Sequence, residues 1–180
     1  MKKIITLLPL VFLLTLQRAH CQHSFSAGVE LDVLPYITGG YFAAGWAGVD
    51  HVRMRALVAK VNMPEFIVPK GFTNNTIHSY ALLGDYFLKK DFTGFWLAAG
   101  VVLWQGRIQT DEQIETTSYN SFLLNGSLGY VYSFNKWLYI GPWAGLSLRV
   151  GGDNDILVDG VQYEPPFINP ELSLKAGVRF

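Results

Sequence analysis

The strictest constraint on this chain is a two-residue alternation that runs without a break through its last thirteen residues, 168–180. One parity is wholly apolar and comprises Ile168, Pro170, Leu172, Leu174, Ala176, Val178 and Phe180. The other is polar or charged apart from one glycine and comprises Asn169, Glu171, Ser173, Lys175, Gly177 and Arg179. Because successive side chains of a β-strand point to opposite faces, this pattern predicts one strand with an apolar face and a polar face.

Seven further segments read as strands, either by the same alternation or as short apolar runs between turn residues. They lie at about residues 24–33, 41–49, 52–58, 78–88, 94–105, 121–133 and 138–150. The segment 94–105 is almost entirely apolar, so its facing is ambiguous. The connections after every odd-numbered strand are long and the others are tight. An all-β fold follows, an eight-stranded antiparallel up-and-down arrangement of the kind that closes into a barrel.

The first 21 residues have the organisation of a secretory signal peptide. Lys2 and Lys3 precede an apolar run over residues 4–16, which is too short to span a bilayer as a helix. We therefore predict a signal peptide at 1–21 and a single domain at 22–180.

Cleavage is expected after Cys21, with Ala19 as the other small residue of the cleavage site. Acylation of Cys21 is the alternative, as in a lipoprotein. Arg18 stands where a lipoprotein signal has an apolar residue, so we favour a mature chain without cysteine and without disulfides.

Composition indicates that much of the surface does not face water. Charged residues are only 16 % of the chain, whereas a soluble surface usually has about 25–35 %. No apolar run after residue 21 is long enough for a membrane-spanning helix. A closed barrel is the other structure that satisfies every backbone group in lipid. The 14 basic residues are balanced by 14 acidic ones, and nothing suggests the clustered basic face that nucleic-acid binding needs, so no nucleic-acid partner is expected.

Alternation alone does not tell which face of the barrel is inside, because a secreted lipocalin-type barrel has its apolar face inward around a ligand. We favour an outward apolar face, since the polar face carries Ser, Asn, Gly and single charges rather than a Lys/Glu-rich covering. Aromatic residues also gather near strand ends, as a membrane interface requires: Phe25, Tyr41, Trp46, Tyr80, Tyr86, Trp104, Tyr132 and Trp137. Trp96 and Trp104 have the spacing of two interfacial girdles.

These features, with the aromatic carboxyl-terminal Phe180, resemble the small eight-stranded outer-membrane proteins of the OmpA transmembrane-domain and OmpX kind. The resemblance covers residues 24–180. It implies a Gram-negative outer-membrane location with both termini periplasmic and the long loops extracellular. It also implies that Phe180 is part of the signal read by the barrel-assembly machinery, and that outer-membrane lipid and lipopolysaccharide surround a monomeric protein.

Parity places nine charged residues inside the barrel: Glu30, Asp32, Arg53, Arg55, Asp85, Arg149, Glu171, Lys175 and Arg179. The interior of an eight-stranded barrel is just wide enough for side chains to fill. Buried charges persist when they are paired, so a lumen plugged by charged side chains is expected, without an open pore. The alternative is a polar ligand or proton path.

Catalysis is not expected. A lipid A deacylase-like barrel needs Ser, His and a carboxylate together, and only His78, beside Ser79, lies in the right region. Adjacent strand residues point to opposite faces, so these two cannot pair directly. No metal or cofactor is expected either, although a lipid-modifying or lipid-binding barrel remains the alternative to a structural or surface-interacting one.

Two loop features complete the expectations. The segment 62–77 is predicted to be irregular, and its apolar residues are expected to cap the barrel mouth or to contact a partner or lipid: Phe66, Ile67, Val68 and Phe72. Asp159-Gly160 predicts a type I′ hairpin, which would extend the last two strands as a protruding ribbon. The sequence identifies no surface partner.

Overall fold

The computed structural model describes residues 25–180, so the predicted signal peptide lies outside the described residues. The elements are β1 (Phe25–Asp32), α1 (Val33–Ile37), β2 (Tyr41–Val49), β3 (Val52–Asn62), β4 (Phe72–Phe87), β5 (Gly94–Thr110), β6 (Thr117–Ser133), β7 (Leu138–Gly152), β8 (Ile156–Val158), β9 (Val161–Tyr163) and β10 (Ile168–Arg179). Over residues 25–180 no helix has the length and apolar character needed to cross a membrane.

Eight of these strands form a closed antiparallel barrel in the order β1-β10-β7-β6-β5-β4-β3-β2. Each strand therefore pairs with its neighbours along the chain, and β10 returns to β1. This confirms the predicted all-β, eight-stranded up-and-down barrel. Strands β8 and β9 form a separate two-stranded sheet.

The strand pair that closes the barrel is short. β10 pairs with β7 over eleven residues, Ile168–Val178, but with β1 only from Asp32↔Lys175 to Gly28↔Arg179. At Asp32 the chain leaves the sheet, because the Asp32 carboxylate accepts a hydrogen bond from Leu34 N at 3.3 Å and caps α1. Residues 168–174 of β10 therefore have a barrel partner on one side only.

The apolar parity faces away from the barrel axis. On β10, Leu172 is 72 % exposed whereas Lys175 is 4 % exposed. The same alternation holds on the other strands, including β5, where even-numbered residues such as Ala98 and Val102 are buried and odd-numbered ones such as Leu97 are exposed. This facing resolves the ambiguity of segment 94–105, and it contradicts the lipocalin-type alternative.

Three tryptophans assigned to the membrane interface have inward positions on the barrel strands instead. Trp46 is 4 % exposed and Trp96 is 2 % exposed, and Trp104 shares the inward parity of β5. The expected girdle of Trp96 and Trp104 is therefore wrong. Trp46 and Trp96 each have a glycine directly opposite on an adjacent strand, Gly28 for Trp46 and Gly129 for Trp96, which leaves room for an indole ring.

The predicted irregular segment 62–77 is shorter than expected. β4 begins at Phe72 rather than near His78, and it already pairs with β5 there. The register shifts between Thr73 and Thr76, where Asn74 has a φ of 52°. The adjacent asparagines Asn74 and Asn75 at this bulge are typical of a turn, which hid the start of the strand.

Asp159 and Gly160 have φ values of 49° and 79°, which confirms the predicted type I′ turn between β8 and β9. The protruding ribbon is wrong. Instead of extending β7 and β10, the hairpin folds back over the barrel, as described below.

Candidate functional site: a closed lumen

Four of the predicted interior charges form a closed ring of ion pairs, which we call the charge ring: Glu30, Arg53, Arg55 and Asp85. Arg53 lies between the two acids, with its Nη2 2.8 Å from Glu30 Oε1 and its Nε 2.5 Å from Asp85 Oδ2. Arg55 completes the ring, with Nη2 2.9 Å from Asp85 Oδ1 and Nη1 3.4 Å from Glu30 Oε2. All four are buried, and two acids balance two bases, so the ring is neutral overall.

The strand register assembles this ring. Arg53 and Arg55 are two residues apart on β3 and therefore share its inward face. Asp85 on β4 lies directly opposite Arg53. Glu30 on β1 also accepts a hydrogen bond of 3.0 Å from the hydroxyl of Tyr139 on β7. Such extra partners matter, because a buried ion pair is tolerated when its remaining polar atoms are satisfied.

Below the charge ring, four aromatic side chains close the end of the barrel that carries the tight turns, and we call them the aromatic floor: Trp46, Phe87, Phe92 and Trp96. They form one buried cluster. The Arg53 guanidinium lies 4.9 Å from the ring centroids of both Trp46 and Phe87. Arg55 lies 5.3 Å from the centroid of Trp96. These cation–π contacts join the floor to the charge ring.

Inward aromatic residues are repeatedly paired with glycines across the sheet. The directly opposed pairs are Gly28↔Trp46, Gly129↔Trp96, Gly177↔Tyr139 and Gly106↔Tyr119. A Cβ at these glycines would lie within 2.0–2.6 Å of the opposing ring, so only glycine leaves the ring its place. These interior aromatic residues were not predicted from the sequence. The signal that could have found them is a glycine and an aromatic residue at matching inward positions of neighbouring strands.

Three more predicted interior charges lie inside the barrel but outside the charge ring. Lys175 Nζ lies 4.3 Å from the ring centroid of Trp143 and 5.0 Å from that of Trp96. Asp32 accepts hydrogen bonds from Trp143 Nε1 at 2.7 Å and from Ser173 Oγ. Glu171 accepts one from Ser147 Oγ at 2.6 Å. Neutral groups therefore hold these three charges.

The last two predicted interior charges belong to the ends of the barrel. Arg149 donates to the carbonyl of Asp153 at 2.5 Å and to Asn154 Oδ1 at 2.7 Å, which braces the connection after β7. Arg179 lies at the opposite end of the barrel, where it donates to the carbonyl of Asp91 and to Ser133 Oγ. The nine charges thus form one ring, one middle layer and two end contacts rather than a single network.

At the other end of the barrel, the β8–β9 hairpin (residues 156–163) covers the lumen, and we call it the hairpin cap. Its inward side chains are buried, with Ile156, Val158 and Tyr163 exposed by only 4 %, 0 % and 1 %. They pack on Ile108 of β5 and Tyr119 of β6. The hairpin cap therefore closes the end from which the long loops project.

Hydrogen bonds also fix the hairpin cap to the barrel wall. Thr110 Oγ1 donates to the Asp159 carboxylate. The Tyr119 hydroxyl donates to Asn75 Oδ1 at 3.0 Å, and Asn75 Nδ2 donates to the Tyr163 hydroxyl at 3.4 Å. Burial raises the pKa of the Tyr163 phenol above its ordinary value, and the neighbouring Tyr119 phenol adds to this.

The residues expected to cap the mouth do so only in part. Val68 and Phe72 pack against the hairpin cap. Phe66 and Ile67 are 88 % and 51 % exposed and do not belong to this cluster. The mouth is thus covered mainly by residues 156–163, the segment that the sequence predicted to be a protruding ribbon. Its own alternation, with Ile156 and Val158 on one face, is the signal that a buried side exists.

Two further residues singled out from the sequence lie at the outer surface. The backbone N–H of Phe180 donates to Ala27 O at 2.8 Å, which continues the pairing of β10 with β1, and its side chain is exposed. His78 faces outward and makes an edge contact with Tyr41, with 6.5 Å between ring centroids. Ser79 has the inward parity of β4. No cluster of three metal-ligating side chains is found within residues 25–180.

Solved structures share this fold. The crystal structure of the N-terminal β-barrel domain of OprF from Pseudomonas aeruginosa is similar with a TM-score of 0.57 and 14 % identity, over 88 % of this chain and 100 % of that one. Neisserial surface protein A is similar with a TM-score of 0.47 and 13 % identity, over 86 % of this chain and 92 % of that one. No protein-family model and no curated protein sequence matches this chain. At 14 % identity the similarity to the OprF domain is one of fold: this chain is an eight-stranded β-barrel of that architecture.

Proposed function

We propose that the protein is an integral β-barrel of the bacterial outer membrane with a closed lumen, and that its role in the cell envelope is structural or surface-interacting. Residues 22–180 would form the mature barrel after removal of a signal peptide at 1–21. The observation that carries the proposal is the distribution of polarity, with apolar side chains outside and a buried charge ring inside. Only a hydrocarbon surrounding makes that arrangement favourable.

The closed lumen is supported by obstructions in series along the barrel axis. The aromatic floor fills one end, the charge ring with Lys175 and its neighbours fills the middle, and the hairpin cap covers the other end. Eight-stranded barrels have little interior space beyond what their side chains occupy. Passive diffusion of solutes is therefore not part of the proposed function.

The proposed orientation puts the tight turns in the periplasm and the hairpin cap outside the cell. The turns at residues 50–51, 88–93 and 134–137 share one end with Phe25 and Phe180. In bacterial outer-membrane barrels the short turns are periplasmic and the longer loops are extracellular. Phe180 would then lie where the barrel-assembly machinery reads terminal strands.

A non-enzymatic role fits the placement of the one His-Ser pair considered for catalysis. His78 contacts Tyr41 on the outer face, and Ser79 is on the inward parity of the same strand. A nucleophile and its base must lie within hydrogen-bond reach on the same side. We therefore propose no lipid-hydrolysing activity, and replacing His78 by Ala should leave the acyl pattern of lipid A unchanged by mass spectrometry.

Planar-bilayer recording of the purified protein tests the closed lumen. We expect no steady conductance from the unmodified protein. A variant without the hairpin cap, with residues 154–165 replaced by a short Gly-Ser linker, should also stay closed because the aromatic floor and the charge ring remain. Steady conductance from the unmodified protein would overturn the closed lumen, and a detergent-free soluble monomer would overturn the membrane location.

A further inference from the structure

Within the described residues 25–180, the outward face of the barrel strands carries charge in one place only. Among the strand residues described by the structure, the outward positions of the eight barrel strands contain no acid, and their basic or imidazole side chains are Lys60, His78 and Arg107. These three lie on the consecutive strands β3, β4 and β5. We call this surface the basic patch.

The register brings the basic patch together. Lys60 is directly opposite His78, and His78 is directly opposite Gln105. Arg107 is paired with Thr76 and so lies diagonal to His78, one step further toward the loops. Neighbouring strands are about 4.8 Å apart, so the patch extends over roughly 10 Å of barrel wall. Within residues 25–180, neither the Lys60 nor the Arg107 side chain has a hydrogen-bond or ion-pair partner.

The basic patch lies at the upper edge of the apolar belt. Lys60 and His78 lie in one row of paired residues. Two residues nearer the tight turns, one continuous outward row is formed by Val58, Tyr80 and Leu103. Lys60 and His78 are each eight positions along their strands from the Val52↔Tyr86 pair near the turns. A tilted strand rises roughly 2.5 Å per residue along the membrane normal, so the patch lies roughly 20 Å above that pair, close to the height of the apolar band of outer-membrane barrels.

We propose that the basic patch binds the phosphorylated headgroup of an acylated glycolipid, the lipid A part of lipopolysaccharide, whose acyl chains lie on the apolar row beneath it. This inference rests on the proposed membrane location and orientation. Cations without acidic neighbours complement phosphate groups, and Lys and Arg donate charge-assisted hydrogen bonds to them. The patch is wider than one phosphate group, which favours a headgroup that carries two phosphates. The sugar hydroxyls of such a headgroup would lie within reach of Gln105.

The test compares lipid binding by the full mature barrel purified from membranes, measured by native mass spectrometry. The probes are lipid A with both phosphates, the same lipid without phosphates, and phosphatidylglycerol. The test variant is Lys60→Gln with Arg107→Gln. The matched control is Lys89→Gln with Lys90→Gln, which removes two exposed positive charges at the opposite end of β4 and β5.

We expect the test variant to bind bis-phosphorylated lipid A about 100-fold more weakly, since each lost charge-assisted contact costs about tenfold. The control variant should bind it within about twofold of the unmodified protein. Lipid A without phosphates should bind the unmodified protein as weakly as the intact lipid binds the test variant.

An equal loss of lipid A affinity in the test and control variants, or no loss of affinity in either, would overturn the inference. So would phosphatidylglycerol that binds as tightly as lipid A, because the patch would then read any phosphate. Heat-dependent gel mobility shows whether each variant is a folded barrel. If the unmodified protein fails to insert into lipid vesicles, the proposed function fails, whereas insertion with unchanged lipid binding contradicts only this inference.

Discussion

The two ends of the barrel are closed in different ways. The aromatic floor consists mainly of side chains that project from the barrel strands themselves and contact the charge ring. The hairpin cap is a separate two-stranded sheet attached by side-chain packing and a few hydrogen bonds. The floor therefore cannot leave without disturbing the barrel, whereas we expect the hairpin cap to open while the barrel stays intact. Four predictions test this difference, from the largest expected effect to the smallest.

Replacing Arg55 by Leu should have the largest effect, because it leaves Glu30 and Asp85 buried with one base fewer. Loss of one partner from a buried ion pair costs about 3–5 kcal/mol. Urea unfolding in lipid vesicles, followed by tryptophan fluorescence, measures the free energy of unfolding. Arg149→Leu is the control at the capped end, with an expected loss of about 1 kcal/mol. Similar losses in both variants would contradict the central place of the charge ring.

The same substitution at two glycines separates the two ends. A Cβ at Gly177 would lie 2.2 Å from the Tyr139 ring, and one at Gly106 would lie 2.0 Å from the Tyr119 ring. Such overpacking costs about 1–3 kcal/mol. Gly177→Ala should lower the unfolding free energy of the whole barrel, because Tyr139 holds Glu30. Gly106→Ala should mainly loosen the hairpin cap, seen as faster amide exchange at residues 156–163, and a reversed order would refute the comparison.

Truncating Val158 to Ala should open the hairpin cap without weakening the barrel. Val158 is fully buried in the contact with β5 and β6. We therefore expect the free energy that holds the hairpin cap closed to fall by about 1–2 kcal/mol. Amide exchange should accelerate in residues 156–163 and stay unchanged in β3 and β4. Leu157→Ala, an exposed neighbour, serves as the control and should change little. Faster exchange throughout the barrel would show that the hairpin cap is not an independent unit.

High pH should weaken the hairpin cap slightly. Because burial raises the pKa of Tyr163, the folded cap favours the protonated phenol, and its stability is complete below the unfolded pKa of about 10. As the pH rises to 11, we expect the free energy that holds the hairpin cap closed to fall by about 1 kcal/mol, measured as faster amide exchange at residues 156–163. Tyr163→Phe should reduce this dependence, and an unchanged pH profile in that variant would disprove the role of Tyr163.

Strand order and facing could be predicted because they follow from two-residue alternation and turn length. Parity correctly separated Lys175 from Leu172 on β10. Parity gives the face of a residue but not its partners, so it did not distinguish the charge ring from Arg149 and Arg179 at the ends. The partners depend on the register, which a single sequence does not state.

The interior aromatics and the hairpin cap were missed for related reasons. Tryptophan generally prefers membrane interfaces, and Trp46 and Trp96 were assigned there for that reason. The glycines opposite them, which make room for the two rings inside the barrel, are known only once the strand register is known. The fold-back of residues 156–163 depends on the contacts of Ile156 and Val158 with Tyr119, which are distant in sequence. Local turn chemistry predicted the Asp159-Gly160 turn but not the direction in which the hairpin lies.

The brevity of the pairing between β1 and β10 bears on how the barrel is made. Ring closure unites the first and last barrel strands, and here they are joined by the stretch from Asp32↔Lys175 to Gly28↔Arg179 and by one further hydrogen bond from Phe180 N to Ala27 O. This junction and the neighbouring one between β1 and β2, which runs from Phe25↔Val49 to Glu30↔Ala44, are the two shortest of the eight. Sideways separation would therefore begin beside β1, and docking of β1 against β10 is the natural last step of assembly because it joins the two ends of the sheet.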